Sequence, residues 1–489
     1  KNGLFPNGAK QAKTIPVFKG KGLEDYLFTN YRPISLLSAI GKILEKLIYN
    51  QVTRFLLRYN ILFKSQYGFR EGHSTTHAVI DFVNSINEAL DEGKLSYGVF
   101  CDLSKAFDTI NHQILFKKLH HYGIRGTALK VLQSYFTGRS QFVTYDGCNS
   151  SELPLLTGVP QGSVLGPLIF LIYVNDLSAC SDILKFVTFA DDSNILMQGK
   201  DPKTTAAKLS EALSDVSDWF KANKLLLNVS KTNLIVFKTP KCRKDTRSET
   251  VYMDGEPLKQ VDNERFLGLQ VDEDLSWQHQ ANKVSSTISK KLGMMRRVKN
   301  IVGLRTLKTI YNSFILTQFN YGLAIWGGAT ATVLKRVKLL QKKAIRLLTN
   351  AKFRDHTEPR LRALGILKIE HLYKVQVSTL VHDSRLGIAP ALLNNMFIRR
   401  ADTVSTRHTQ GKAEDVFVIK GKTGSAKRSF PVRGSEIWNE LPNELQTTEK
   451  KSKFKNMIKK HYLNSYSENV GCKNMICCDI HNCHHVPSN

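Results

Sequence analysis

Two segments of this chain place acidic side chains where metal-assisted phosphoryl chemistry needs them. Asp102 ends the apolar run Tyr97-Gly98-Val99-Phe100-Cys101, and 89 residues later Phe186-Val187-Thr188-Phe189-Ala190 leads into the pair Asp191-Asp192. Two divalent ions about 4 Å apart must be held by hard anionic oxygens, one activating an attacking 3′-hydroxyl and one supporting a departing triphosphate. Three carboxylates meet that requirement, so Asp102, Asp191 and Asp192 are the expected metal ligands. An Asp-Asp pair by itself is most often a solvated turn. The surrounding sequence is what gives this one chemical meaning.

The flanks have the periodicity of strands. Tyr97 to Leu103 is expected to form a buried strand carrying Asp102. Phe186 to Phe189 and Ile195 to Met197 are expected to form two short strands joined through Ala190-Asp191-Asp192-Ser193, with the acidic pair on a hairpin tip. Between these segments lies Gly158-Val159-Pro160-Gln161-Gly162-Ser163, followed by the apolar run Val164 to Val174. Glycine permits close backbone approach, Ser163 can cap a helix and Pro167 is tolerated in a first turn, so Gln161 is presented from a rigid loop.

These segments, with Leu227-Asn228-Val229-Ser230-Lys231-Thr232 and Phe266-Leu267-Gly268 in the same order, resemble the reverse transcriptases of non-LTR (LINE-type) retrotransposons, in the jockey-like and chicken-repeat-like group. Pro16-Val17-Phe18-Lys19 and Asn30-Tyr31-Arg32-Pro33-Ile34-Ser35-Leu36-Leu37 match the fingers region of the same family. The resemblance runs from about residue 10 to about 445.

It implies an α+β right-hand polymerase, with a helix-packed antiparallel palm sheet and a helical thumb and C-terminal region. Residues 1–95 would be fingers, 96–275 the palm, 276–350 a basic helical thumb, 351–470 a C-terminal region of unclear role and 471–489 a Cys/His-rich tail. Helices are expected over 40–59, 113–121 and 206–222.

Site roles follow from the same resemblance. Asp102 and Asp191 would bind the ions directly and Asp192 assist, while Asp108 holds local structure. Phe107 would wall off a 2′-hydroxyl and so select dNTPs over rNTPs. Lys19 and Arg32 would grip the triphosphate, with Gln161 beside the nucleotide and Lys231 near the pyrophosphate. The implied activity is RNA-directed DNA synthesis with two Mg²⁺ ions, for which Mn²⁺ can substitute. Its partners are template RNA, a DNA primer and dNTPs, in target-primed reverse transcription. A ribonucleoprotein of nucleus and cytoplasm is the expected setting. Two rivals stay open: a catalytically silent RNA-binding relic and an intron-maturase-like reverse transcriptase. The segment Phe430 to Pro442 resembles retrotransposon tails rather than a splicing domain.

Composition agrees with a nucleic-acid partner. The 489 residues carry 70 Lys and Arg against 42 Asp and Glu, a net charge of +28 that favours polyanions. From Ala281 to Asn350 there are 14 basic residues and no acid. Within that stretch Val333, Val337, Leu340, Ala344 and Leu347 fall at helical spacing, leaving Lys335, Arg336, Lys342 and Lys343 on the other faces to track a phosphate backbone. A membrane-surface helix is the competing reading of such a pattern. No run of about 18 apolar residues exists, so no membrane span is expected.

Lys1-Asn2-Gly3-Leu4-Phe5-Pro6 has no apolar core and no starting Met, and nothing matches an endonuclease. The chain therefore reads as a fragment that polymerises without nicking its own target. Cys101, Cys148, Cys180 and Cys242 are scattered, as reduced thiols are. Cys472, Cys477, Cys478, His481 and Cys483 crowd the tail and are candidate Zn²⁺ ligands, although their spacing is not that of a regular structural zinc site.

Overall fold

The computed structural model describes residues 3–20, 22–399 and 415–466, and its chain divides into two compact units. Unit 1 comprises 1–78, 97–234 and 244–261, and unit 2 comprises 79–96, 235–243 and 262–489. The five candidate zinc ligands of the tail lie outside the described residues.

In chain order, unit 1 begins with β1 (Gln11–Phe18), β2 (Tyr31–Leu36) and α1 (Ala39–Arg58). After α2 (Thr75–Asp91), most of which belongs to unit 2, come β3 (Leu95–Cys101), β4 (Leu103–Ser104), α3 (His112–His121), α4 (Gly126–Phe136), β5 (Ser140–Tyr145), β6 (Cys148–Asn149) and β7 (Leu153–Pro154). Then follow α5 (Gly166–Tyr173), β8 (Lys185–Phe189), β9 (Asp192–Gly199), α6 (Pro202–Ala222), β10 (Leu226–Leu227) and β11 (Asn233–Phe237), whose residues from Ile235 belong to unit 2. Three two-residue strands close the series: β12 (Tyr252–Met253), β13 (Glu256–Pro257) and β14 (Lys259–Gln260).

Local sequence explains many of the boundaries. Ser38 accepts from the Gly41 amide to start α1, Asn111 from Ile114 to start α3, and Asp201 from Thr204 to start α6, where Pro202 fills the first helical position. The three expected helices are thus present, each starting one to four residues earlier than its apolar periodicity does.

Two sheets carry the site. One runs β2-β1-β5-β6, with β1 antiparallel to β2 and parallel to β5. The other runs β14-β11-β3-β9-β8. Strand β3 is buried along its whole length, Ser96 included, in keeping with its largely apolar sequence, and it ends at Cys101. The expected continuation to Leu103 does not hold in that sheet. Leu103 and Ser104 pair instead with Leu227 and Leu226, leaving Asp102 at the change of partner. Helix α5 is buried at all but one position, which explains why its sequence is apolar on every face.

Unit 2 contributes the hairpin β15 (Asn263–Phe266) and β16 (Leu269–Asp272), then α7 (Gln278–Val298), α8 (Leu304–Ile310), α9 (Thr317–Asn320), α10 (Leu323–Trp326) and α11 (Ala331–Leu348). Beyond these lie α12 (Glu358–Leu364), α13 (Ile369–Arg385), α14 (Ala391–Met396), α15 (Phe430–Asn439), α16 (Asn443–Gln446) and α17 (Lys451–Asn464). Helix α11 packs on α7, and α13 packs on α15 and α17.

The buried face of α11 is Leu334, Val337, Leu340, Gln341, Ala344, Ile345 and Leu348. Val333 and Leu347, expected on that face, are only half-buried, because the contact stripe follows the turn of 3.6 residues and broadens toward Leu334 and Ile345. Among the described residues no helix is long and apolar enough to cross a membrane.

Candidate active site

A cleft of about 1660 Å³ opens in unit 1, and the residues singled out by sequence converge on it from five separate segments. Lys19 and Arg32 come from the β1–β2 pair, Asp102 and Phe107 from the end of β3 and the turn beyond β4, Gln161 from the loop before α5, Asp191 from the β8–β9 turn, and Lys231 from the turn before β11. Asp192 is not among the lining residues.

The reason lies in the turn. Strands β8 and β9 pair in register from Lys185↔Leu196 to Phe189↔Asp192, so the connection is only Ala190-Asp191. Ala190 adopts φ 57°, which suits the tight two-residue hairpin turn. Asp192 is therefore the first residue of β9 and is exposed, while Asp191 sits at the turn and is half-buried. Burial pushes the Asp191 carboxyl up from its ordinary value, and the nearby Asp102 charge pushes it the same way, against a hydrogen bond from its own amide.

The Asp102 side chain is 47% exposed, and its nearest cation is Lys231, whose Nζ lies 3.9 Å from Oδ2. The Lys231 side chain is itself 70% exposed, so water screens the pair and it neutralises little of the Asp102 charge. Two convergent hard-oxygen donors beside an open cleft suit Mg²⁺, which commonly takes one or two protein carboxylates and completes its shell with water and substrate phosphates. Among the described residues no cluster of three or more His, Cys, Asp or Glu side chains is arranged to hold a metal, so the third carboxylate is not gathered with the other two.

The Gln161 loop is locked to the segment after Asp102. The Gln161 side-chain amide donates to Asp108 Oδ1 at 2.9 Å, the Gly158 amide to the Ile110 carbonyl at 2.8 Å, and the Val159 amide to the Phe107 carbonyl at 2.9 Å. Gly158, at φ 77°, lies so close to Asp108 that a Cβ there would fall 2.7 Å from its backbone. Ser163 accepts from the Gly166 amide at 3.0 Å, but the N-cap position of α5 is Leu165, which offers no side-chain cap, so the cap expected at Ser163 is replaced by a contact just ahead of the helix; Pro167 takes the first turn of α5.

Phe107 stacks on the fully buried Phe170 with ring centroids 4.8 Å apart, yet still borders the cleft. Lys19 donates to the Thr29 carbonyl at 2.5 Å, and Arg32 is exposed opposite Val17. Tyr26 and Phe28 also line the cleft as largely exposed aromatic rings.

Two further residues hold this architecture, and sequence reasoning passes over both. Gln66 is buried, and its side-chain oxygen accepts from the amides of Gly68 at 2.8 Å and Ala190 at 3.0 Å. The Tyr67 amide bonds to the Thr188 carbonyl, and the Thr188 amide to the Ser65 carbonyl, so the 65–68 loop makes a single parallel bridge to β8 at Gln66↔Thr188. Gly68 is obligatory there, since a Cβ would fall 2.3 Å from the Ala190 nitrogen.

Glu45 on α1 is fully buried and accepts from the Val164 and Leu165 amides at 2.6 and 3.3 Å and from the Tyr135 hydroxyl at 3.0 Å. Its carboxylate thus meets the amides that lead into α5, directly after the Gln161 loop. A Glu within a helical apolar stripe was the one available signal, and it is visible only once the stripe is known to face inward.

With this geometry in hand, the comparison with known proteins is direct. Residues 19–271, just over half of the chain, match the family described as "Reverse transcriptase (RNA-dependent DNA polymerase)", and the chain belongs to that family. It is 28% identical over 401 residues to the RNA-directed DNA polymerase from mobile element jockey of Drosophila melanogaster, covering 79% of this chain and 43% of that protein. It is 29% identical over 366 residues to the probable RNA-directed DNA polymerase from transposon BS of the same organism, covering 72% of this chain and 39% of that protein. The chain thus spans about two fifths of the length of these relatives. Among solved structures, telomerase from Candida tropicalis in complex with a fragment of telomeric RNA aligns at 12% identity with a TM-score of 0.40, covering 77% of this chain and 62% of that one. That likeness is remote.

Proposed function

We propose that this chain is the polymerase portion of a non-LTR retrotransposon protein, copying the element's RNA into cDNA from a DNA primer. The observation that supports this most strongly is the meeting of Asp102 and Asp191 in one cleft with Lys19, Arg32, Phe107 and Gln161. Two Mg²⁺ ions, when bound, would supply activation of the primer 3′-hydroxyl and neutralisation of the triphosphate.

The chain's own residues do the rest. Asp102 and Asp191 would hold the ions, with Asp192 assisting from the adjoining strand position. Lys19 and Arg32 carry fixed positive charge toward the triphosphate and offset the charge that builds on the leaving phosphates. Phe107, backed by Phe170, stands beneath the incoming sugar and excludes a 2′-hydroxyl by contact. Gln161, tied to Asp108, fixes the floor on which the base pair rests, and Lys231 neutralises the departing pyrophosphate.

Primer extension on an RNA template tests this reading. Asp102→Asn and Asp191→Asn should each remove nearly all extension at saturating Mg²⁺ while leaving primer–template affinity within a few-fold. Near-normal extension by either variant overturns the ligand assignment. Full RNA affinity with no extension by the unaltered chain identifies the silent relic instead.

A further inference from the structure

Between Phe63 and His73 the chain of unit 1 forms a loop that is tied to itself as well as to β8. The Arg70 guanidinium is half-buried and donates from Nη1 to the carbonyls of Phe63 at 2.8 Å and Gln66 at 3.1 Å. Tyr67 is 1% exposed and packs beside His73 with ring centroids 5.7 Å apart, while His73 Nδ1 lies 2.8 Å from the Glu71 carbonyl. Gln66 fastens the same loop to the Ala190 amide, one residue before Asp191, and Gly68 lies against that amide. The backbone is therefore fixed on both sides of Phe69.

Phe69 itself serves neither the core nor the turn. It is 48% exposed, and its φ of 53° lies in the left-handed region that a bulky side chain adopts only at a cost. Strain of this kind persists where the surroundings over-determine it, and it is concentrated at functional sites. Its neighbour supplies the reason. The Phe69 and Phe107 rings lie with centroids 6.3 Å apart and planes at 80°, the perpendicular arrangement and spacing that aromatic pairs prefer.

Phe107 needs such a neighbour. Its backbone is held by the Val159 amide, which donates to the Phe107 carbonyl at 2.9 Å, but the residue is only half-buried and the terminal torsion of an aromatic side chain is broad. Phe170 covers it as a near-parallel stack, with planes 30° apart. A second ring set nearly perpendicular restrains it from another direction. Phe107 borders the cleft and Phe69 does not line it, so any effect of Phe69 on a bound nucleotide passes through Phe107.

We propose that Phe69 is a positioning residue for Phe107, holding that ring, on the reading of it as the wall beneath the incoming sugar, at the depth where a 2′-hydroxyl collides and a 2′-hydrogen does not. The loop that presents Phe69 also holds the Asp191 turn, so the wall and the carboxylate keep a fixed separation. The strained backbone at residue 69 is what directs the ring at Phe107.

The test is primer extension by the full chain on an RNA template, comparing each rNTP with its dNTP. Phe69→Leu keeps an apolar side chain and removes the ring. The ratio of kcat/KM for rNTPs to that for dNTPs should then rise about two- to tenfold, the range that one aromatic pair contact is worth. The rise should come through a lower KM for rNTPs, because a hydroxyl is admitted and the chemistry is not improved. Phe69→Tyr keeps the ring and should restore the wild-type ratio. Phe69→Gly removes the ring while relieving the left-handed backbone and should act as Phe69→Leu does, which separates the effect from any loss of folding. Phe107→Val should raise the ratio by itself, and adding Phe69→Leu to it should raise it no further, since no ring remains to be held. Dissociation constants of rNTP and dNTP from a complex with a 3′-dideoxy-terminated primer read the same wall in a chain that does not extend. A ratio raised by Phe107→Val and untouched by Phe69→Leu overturns the positioning role and leaves the wall in place. A ratio raised by neither removes both. Full additivity of the two changes, or an effect of Phe69→Leu confined to primer–template affinity, makes Phe69 a separate contact with nucleotide or nucleic acid and overturns the proposal as well.

Discussion

Gln66→Met isolates the contact that shapes the Asp191 turn. Methionine has nearly the length and volume of glutamine, so the buried space stays filled while the acceptor that serves the Gly68 and Ala190 amides disappears. Each buried amide left without an acceptor costs about 1–3 kcal/mol. The pair therefore implies about 2–6 kcal/mol, with the lower end applying if the turn opens enough for water to reach Ala190. For a unit of this size, that loss lowers the midpoint of its thermal transition by roughly 4–24 °C. Activity falls for a further reason. Ala190 precedes Asp191, and a displacement of about 1 Å at a reacting geometry can cost about 10²-fold in rate. Scanning calorimetry with primer extension on the same preparation reads both effects. Gln66→Glu is the control, since it restores an acceptor and much of the stability but adds a third negative charge beside a carboxyl already pushed up by burial and Asp102. It should recover the thermal midpoint and not the rate. A Gln66→Met protein with wild-type midpoint and wild-type kcat would refute the claim that this side chain holds the turn.

Other expectations follow from the same contacts. Phe107→Val opens the space next to Phe170 on the cleft side, so the ratio of kcat/KM for rNTPs to that for dNTPs should rise even as overall rate drops; an unchanged ratio makes Phe107 a packing residue only. Lys335, Arg336, Lys342 and Lys343 are all exposed on α11, and replacing the four with Gln should weaken template–primer binding across sequences and flatten its salt dependence by about two to four units. A salt slope equal to wild type, with circular dichroism unchanged, would take that face off the nucleic acid. Glu45→Gln keeps the shape of a buried side chain but removes its charge from two amides and a hydroxyl, a loss of about 1.5–3 kcal/mol, and by loosening the start of α5 it should raise KM for dNTPs more than it lowers kcat. Equal changes in both constants, or none, would separate Glu45 from the Gln161 loop.

The sequence alone pointed to a reverse transcriptase and to much of the local structure. Carboxylates after apolar strand runs, the Gly- and Pro-bounded Gln161 loop and the helices over 40–59, 113–121 and 206–222 depend on side chain and backbone within a few residues of one another, whereas the capping residues Ser38, Asn111 and Asp201 that set the observed starts lie ahead of the apolar periodicity. The family match over residues 19–271 rests on the order of such segments along the chain. What only the tertiary structure decided were relations between distant segments. Whether Asp191 or Asp192 faces the cleft depends on strand register, because a shift of one residue reverses the face, and the register here is set by the pairing Phe189↔Asp192 and by Gln66 reaching across from 124 positions away. Glu45 reads as one more polar residue on a helix until α5 packs over it, since a buried carboxylate is recognisable only by the amides it meets.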